Sequence, residues 1–448
     1  MNDTALLLSR LQFGITLSYH FWFVALTLGL SVLIAIMQTI YLVKDKQIYK
    51  TMTRFWGKLF IVNYIVGVVT GIVQEFQFGM NWSEYSRFVG DVFGVPLAFE
   101  ALTAFFIEST FIGIWVYGWD HFSRKVHLLA IWLVAISSNY SAFWILAANA
   151  FMQKPIGYSY QNGRLELADL SAIMMNPYLI YQYSHTVLSG LLTGGLFLMT
   201  VSAFYLIKQR HKNFANKSFK IGVVCAMATT AMLLLSGHLY TQYLVKAQPM
   251  KFAAMEAIWE TTAKAPFSIA AIIDEEQRRN RAEISVPGML SIMATNRSNS
   301  EVEGINELQY KFYSEYGQNN YIPPVGILFW SFRVKVAIGV LLLLLSAYCL
   351  WWQKKRHLAL KISLLKGVMI AMPLIIVCHT AGWLIAELGR QPWIVYGLQL
   401  TEHGVSKVVP VTYIWISLIS FVSIYAFIAL VAMYIMRNII YDGPETLE

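Results

Sequence analysis

Long apolar runs, separated by short polar stretches, recur along the chain from about residue 14 to residue 436. Each is close to the roughly 20 residues that an α-helix needs to cross the hydrocarbon core of a bilayer. The pattern predicts spans near 14–42, 55–78, 95–118, 128–150, 180–206, 219–240, 325–352, 366–388 and 411–436. Open sheets cannot cross lipid, because their edge groups would stay unpaired, and the ten-residue alternation of a membrane barrel is missing. The expected fold is therefore all-α, a polytopic membrane bundle of about nine transmembrane helices. Helices 1–6 take residues 1–240, a large extramembrane loop takes 241–322, and helices 7–9 take 323–448.

Composition agrees. Of 448 residues 57% are hydrophobic and only 13% charged, against about 25% charged in soluble domains. The net charge of +9 is unevenly spread. Basic residues collect in alternate loops: Lys44, Lys46, Lys50, Arg54 and Lys58; Arg124 and Lys125; Lys208, Arg210, Lys212, Lys217 and Lys220; Lys354, Lys355, Arg356 and Lys361. The positive-inside rule puts these loops in the cytoplasm, with the N-terminus outside and the C-terminus cytoplasmic. The basic excess thus reads as topology, with no nucleic-acid partner. Cys225, Cys349 and Cys378 are scattered through apolar spans without paired spacing, which implies neither a disulfide framework nor c-type haem. The opening MNDTALLLSRLQF lacks the basic region and small-residue cleavage site of a removed signal peptide.

Ionisable groups inside spans are costly and mark functional candidates. His20 and His185 each either bond a neighbouring helix or hold haem iron. Glu100 and Glu108 share the third span; on a regular helix they lie about 80° apart in azimuth and about 12 Å apart along the axis. That spacing suits a proton relay or a pair of neutral packing acids equally. Trp383, Glu387 and Arg390 stand at i, i+4 and i+7 and share a face, with Gly389 and Pro392 closing the helix. The carboxylate either forms a structural ion pair or ligates a metal centre while the Arg faces an anion. In the large loop, QPMKFAAMEAIWET (248–261) predicts a short amphipathic helix. Its Lys251 and Glu256 are either solvated charges or the binding groups for a polar head of a lipid-soluble substrate.

SRLQFGITLSYHFWF, FWGKLFIVNYIVGVVTGIVQEFQFGMNW, LAFEALTAFFIESTF, SAFWILAANAFMQ, SHTV, QPMKFAAMEAIWE, FWSFRV and GRQPWIVYG together resemble, in order and from end to end, subunit I of the cytochrome bd-type quinol oxidases. The short outer loop and GRQPWIVYG look most like the cyanide-insensitive branch. The resemblance implies a multi-pass subunit of the bacterial inner membrane that works with subunit II, and with a small single-span subunit as a further partner. Such a complex oxidises a membrane quinol at the outer face. It reduces dioxygen to water with cytoplasmic protons, generating a proton-motive force without pumping. By resemblance, His185 ligates a low-spin haem b. His20 and Glu387 each ligate one haem of a high-spin pair, a haem b and a haem d (or a haem b in its place). Trp383 packs beside that pair, Arg390 stabilises propionates, Glu100 and Glu108 serve the proton route, and Lys251 with Glu256 binds the quinol head group.

Two positions depart from the family pattern. FWSFRVKVAIG (329–339) carries Arg333, expected against the low-spin haem's propionates, and Lys335 where the family has its second axial ligand, a methionine. Lys335 leaves three outcomes open: an amine-ligated haem, a five-coordinate haem with the lysine snorkelling to the headgroups, or no haem at that position. GHLYT places His238 where an acidic residue is expected, as a new ligand or as a loop histidine. Both lie on the electron-input side. The rival reading is therefore a divergent haem-binding paralogue with impaired quinol turnover, sensory or accessory in role; a cofactor-free transporter would leave Trp383, Glu387 and GRQPW unexplained.

Overall fold

The computed structural model of the chain describes residues 3–355, 358 and 361–445; Arg356 of the fourth basic loop lies outside them. Nine helical spans among the described residues are long and apolar enough to cross a membrane, as the hydrophobic pattern predicts. The first are α1 (Asp3–Lys44) and α2 (Gln47–Met80). The third span is interrupted: α3 (Ser83–Phe99), a π-helical turn (Glu100–Phe105) and α4 (Phe106–Tyr117). Next comes α5 (Arg124–Gln153), then a hairpin of β1 (Tyr158–Gln161) and β2 (Arg164–Leu167), the short α6 (Leu170–Met174), α7 (Pro177–Ile207) and α8 (Lys212–Ala247). The long loop holds α9 (Pro249–Glu256), β3 (Thr262–Ala263), β4 (Phe267–Asp274), β5 (Arg279–Val286), α10 (Met289–Thr295), β6 (Glu301–Val302) and α11 (Ile305–Tyr316). After it come α12 (Val325–Lys354), α13 (Ile362–Leu388), β7 (Trp393–Val395), β8 (Gln399–Leu400), α14 (Thr401–Gly404) and α15 (Val411–Asp442). The strands pair only as two-stranded antiparallel ribbons, β1–β2, β3–β6, β4–β5 and β7–β8.

Helices α1 and α7 form the buried centre, and their approach is set by glycine. A Cβ on Gly29 would lie 2.0 Å from the Gly190 carbonyl oxygen, and one on Gly194 would lie 2.8 Å from the Gly29 carbonyl carbon. In lipid, where apolar side chains gain little by leaving their solvent, small residues at i and i+4 let backbones meet and gain dispersion contact. This crossing fixes the helix carrying His20 against the helix carrying His185.

The long loop packs onto the end of the bundle. Met250 to Glu256 are all buried, so α9 has no solvent face. The sequence pattern reads this helix as amphipathic because Lys251 and Glu256 look like surface residues. Both are 1% exposed, since other elements supply their polar partners. Helix α13 ends at Leu388 with Gly389 as its cap residue, as GRQP leads one to expect.

Candidate functional site

Four of the buried or half-buried histidines in the described bundle hydrogen-bond through their rings, and those bonds divide them in two. Nδ1 of His20 is 2.9 Å from Thr70 Oγ1 on α2, and the Thr70 hydroxyl proton goes to the Val66 carbonyl, 2.8 Å away. Thr70 therefore accepts, His20 carries its proton on Nδ1, and the Nε2 lone pair is left without a partner among the described residues. His185 repeats the arrangement. Its Nδ1 is 3.2 Å from Ser236 Oγ on α8, and Ser236 donates to the Leu233 carbonyl at 3.2 Å. An imidazole anchored through Nδ1–H with Nε2 open is the tautomer that ligates metals, oriented from outside the coordination sphere.

His379 and His127 are the opposite case. Thr193 gives its proton to the Ser189 carbonyl and so accepts from His379 Nε2 at 2.8 Å, while Ser189 Oγ donates to Nδ1 at 3.2 Å. His127 accepts from Gln38 Nε2 at 2.8 Å and donates to the Trp115 carbonyl at 2.7 Å, and Trp115 Nε1 closes the triangle onto Gln38 Oε1 at 2.7 Å. Neither ring keeps a lone pair to offer. His379 was legible by the same rule that singles out His20, as an ionisable residue in a span; its engagement was not.

Glu387, on the last turn of α13, is held on both oxygens. Arg390 Nη2 donates to Oε2 at 2.6 Å, and Asn149 and Gln153 of α5 donate to Oε1 at 3.0 and 3.4 Å. Arg390 is buried, and its Nη1 has no hydrogen-bond partner among the described residues. Lys251 reaches the same cluster: its Nζ donates to Gln153 Oε1 at 2.8 Å, Tyr178 OH at 3.2 Å and the Ala386 carbonyl at 3.1 Å. Burial holds the Lys251 ammonium well below the usual lysine range, and the Arg390 charge adds to this while Glu387 opposes it. Trp383, one turn before Glu387, packs edge-on to Phe21 at 5.3 Å, next in sequence to His20. Trp22 Nε1 bonds Thr380 Oγ1 at 3.2 Å. The helices bearing His20 and Glu387 are thereby clamped together.

The two members of the loop pair diverge. Whereas Lys251 points toward Glu387, Glu256 Oε2 pairs with Arg333 Nη2 at 2.7 Å. Arg333 also donates to the Met255 and Ser268 carbonyls and has the Phe329 ring 3.9 Å from its Cζ. Glu256 Oε1 is buried without a partner among the described residues. Burial raises the Glu256 carboxyl above the usual range, and Arg333 opposes the rise.

Lys335, two residues on, turns the other way. Its amine does not snorkel: a Cβ placed on Gly382 of α13 would meet only Lys335, with Nζ at 3.8 Å. A Cβ on Gly237 of α8 would meet, among the described residues, His185 Cε1 at 3.6 Å. Lys335 interacts electrostatically with His185 and His379. Gly382 of α13 thus presents bare backbone to the Lys335 amine, and Gly237 of α8 to the His185 imidazole with its open Nε2. The donor set and the cradle fit a flat, nitrogen-ligated macrocycle. His238 lies inside α8 rather than in a loop, because the helix runs on to Ala247.

The third span departs from the regular helix that the Glu100–Glu108 spacing assumed. The π-helical turn between them absorbs extra residues, so both carboxyls meet α5: Glu100 Oε1 accepts from Ser141 Oγ at 2.6 Å and Glu108 Oε1 from Ser138 Oγ. Ser141, Asn149 and Gln153 lie in the SAFWILAANAFMQ segment and Ser138 one turn before it, but the sequence assigns none of them a role. Amides and hydroxyls carry no spacing signal of their own.

The fold and site define a helical membrane protein whose interior holds imidazoles with a free ring nitrogen and a hydrogen-bonded carboxylate. Residues 8–444 match the family described as cytochrome bd terminal oxidase subunit I, and the chain belongs to that family. It is 42% identical to a cytochrome bd ubiquinol oxidase subunit 1 of Bacillus subtilis (strain 168), over 98% of this chain and 94% of the relative. It is 37% identical to a cytochrome bd-II ubiquinol oxidase subunit 1 of Escherichia coli (strain K12), over 98% and 97%. Its fold superposes on the bd oxidase of Geobacillus thermodenitrificans with a TM-score of 0.88 at 29% identity, covering 99% of this chain and all of that one. The chain is an oxidoreductase subunit of the bacterial inner membrane, as the resemblance implied.

Proposed function

We propose that this chain is the haem-bearing subunit of a quinol:dioxygen oxidoreductase, working with cytochrome bd subunit II and a small single-span subunit. The observation that carries the reading is the shared tautomer of His20 and His185, anchored at Nδ1 and open at Nε2, against the closed His127 and His379. His185 would hold a low-spin haem b, with the Lys335 amine as a second donor to the same group. His20 and Glu387 would each hold one of a high-spin haem b and a haem d (or a haem b in its place). These groups, when bound, supply the iron through which electrons reach dioxygen.

The protein's own part follows from its geometry. The partnerless Glu256 Oε1 accepts the hydroxyl proton of a quinol docked against α9, and Arg333 holds the carboxylate in place. Lys251 anchors α9 to α13 from beneath and thereby shapes the same head-group site. Arg390 offers its open Nη1 to a propionate. Glu108 and Glu100, each bonded to a serine of α5, pass protons from the basic end of α4 toward the oxygen site, with water between them. With the N-terminus outside, quinol protons leave at the loop face and consumed protons enter from the cytoplasm, so the turnover charges the membrane without a pump. The short loop fits the cyanide-insensitive branch. The alternative, a haem protein with impaired quinol turnover, is favoured by Lys335 and His238.

Reduced-minus-oxidised spectra of the purified complex, reduced by quinol and separately by dithionite, test this. Equal reduction of all haems supports the oxidase. Haems reduced by dithionite alone would favour the paralogue, and a colourless intact complex would sink both readings.

A further inference from the structure

On the loop face, redox-active aromatic rings form an unbroken series from solvent to the turn beside Glu387. Tyr310, on α11, is 70% exposed. Its ring centroid lies 6.4 Å from Tyr313, which lies 6.4 Å from Tyr321. Tyr321 is buried and stacks on Trp393 at 5.4 Å and 17°, and Tyr316 meets the edge of the same indole at 5.0 Å. The Trp393 backbone in turn is tied to Arg390 in both directions, its amide N–H donating to the Arg390 carbonyl at 3.1 Å and its carbonyl accepting from Arg390 Nε at 3.3 Å. Arg390 grips Glu387.

We infer that Tyr310, Tyr313, Tyr321 and Trp393 form an escape route that carries oxidising equivalents from the oxygen site to the protein surface. This rests on the oxidase reading, which supplies the oxidant. Tunnelling falls off exponentially with the gap, and rings in van der Waals contact present almost none. Phenol and indole yield electrons only to strong oxidants, so the series cannot admit electrons from a mild donor; it serves when oxygen chemistry has begun and quinol electrons are late. Trp393 gives one electron to the oxygen site and is refilled by Tyr321, then Tyr313, then Tyr310. Tyr310 ends one electron poorer and releases its phenolic proton to water, while the inner rings return to their starting state. The oxygen site is reduced by one electron, and the damage is moved to a replaceable surface position.

The complete complex, turned over under dioxygen with limiting quinol and a nitroso spin trap, provides the test. The trap forms a C–N bond to a tyrosyl ring carbon, giving a nitroxide seen by electron paramagnetic resonance and located by peptide mass spectrometry. Tyr160, also on the loop face and 65% exposed but outside the series, is the internal control. Adduct should favour Tyr310 over Tyr160, and Tyr321→Phe, which keeps the stack on Trp393, should reduce it to the Tyr160 level at unchanged oxygen uptake. Oxygen uptake without that preference, or equal Tyr310 labelling in the variant, overturns the inference alone. A complex that takes up no oxygen overturns the oxidase reading and this inference together.

Discussion

Arg333 Nη2 lies 2.7 Å from Glu256 Oε2, both side chains are buried, and the second oxygen of that carboxylate has no partner among the described residues. A buried ion pair is seldom a source of net stability, because desolvation of the charges offsets their attraction. The open oxygen is the acceptor that the proposed quinol site uses. The pair also answers why α12 starts with two cations. Arg333 is neutralised by the loop and Lys335 faces the bundle.

Glu256 should set the acid limb of quinol oxidation. Its carboxyl is raised by burial, so it stays protonated at pH values where an ordinary glutamate has ionised. Acceptance of the quinol proton therefore rises with pH through that elevated pKa. Arg333→Gln removes the opposing charge and should move the limb of kcat/KM further up. Glu256→Gln should abolish the limb and lose about 1.5–3 kcal/mol of charged hydrogen bonding, roughly 10- to 100-fold in kcat/KM. A limb unmoved in both variants would exclude Glu256 from the site.

The histidine classes predict haem content. His20→Ala and His185→Ala should each lose a haem by pyridine haemochrome assay. His127→Ala and His379→Ala should keep full haem and lose only about 1–3 kcal/mol of stability from partners left unsatisfied. Ser236→Ala, which frees the His185 ring, should weaken haem retention about 10-fold or more.

Lys335→Met should raise the potential of the haem held by His185, because a softer thioether favours the ferrous state over an amine, and should give a His/Met spectrum. An unchanged spectrum would rule out Lys335 as a ligand. Gly382→Leu, which fills the space against the Lys335 amine, should displace the same haem with Lys335 intact.

Gly29→Ala should lower the melting temperature of the complex. The added methyl meets the Gly190 carbonyl, and such overpacking costs about 1–3 kcal/mol. Gly14→Ala on the same helix, where a Cβ meets nothing within 4 Å, should be neutral or stabilising by up to about 1 kcal/mol. Equal effects would show that the α1–α7 crossing is not close-packed.

The sequence by itself determined the bundle and most of the ligand candidates. A span is recorded in twenty consecutive residues, and Glu387 and Arg390 lie one helical turn apart, so both are local facts. Tertiary structure decided which histidines keep a free ring nitrogen, because Thr70 and Ser236 come from other helices, 50 and 51 residues away. It separated Lys251 from Glu256, which only their respective partners Gln153 and Arg333 could do, and it turned Glu100 and Glu108 onto α5 through a π-helical turn that no residue pattern announces. A proton's place on an imidazole, or a charge's direction inside a membrane, depends on what the neighbouring helix offers, and that is settled only when the helices pack.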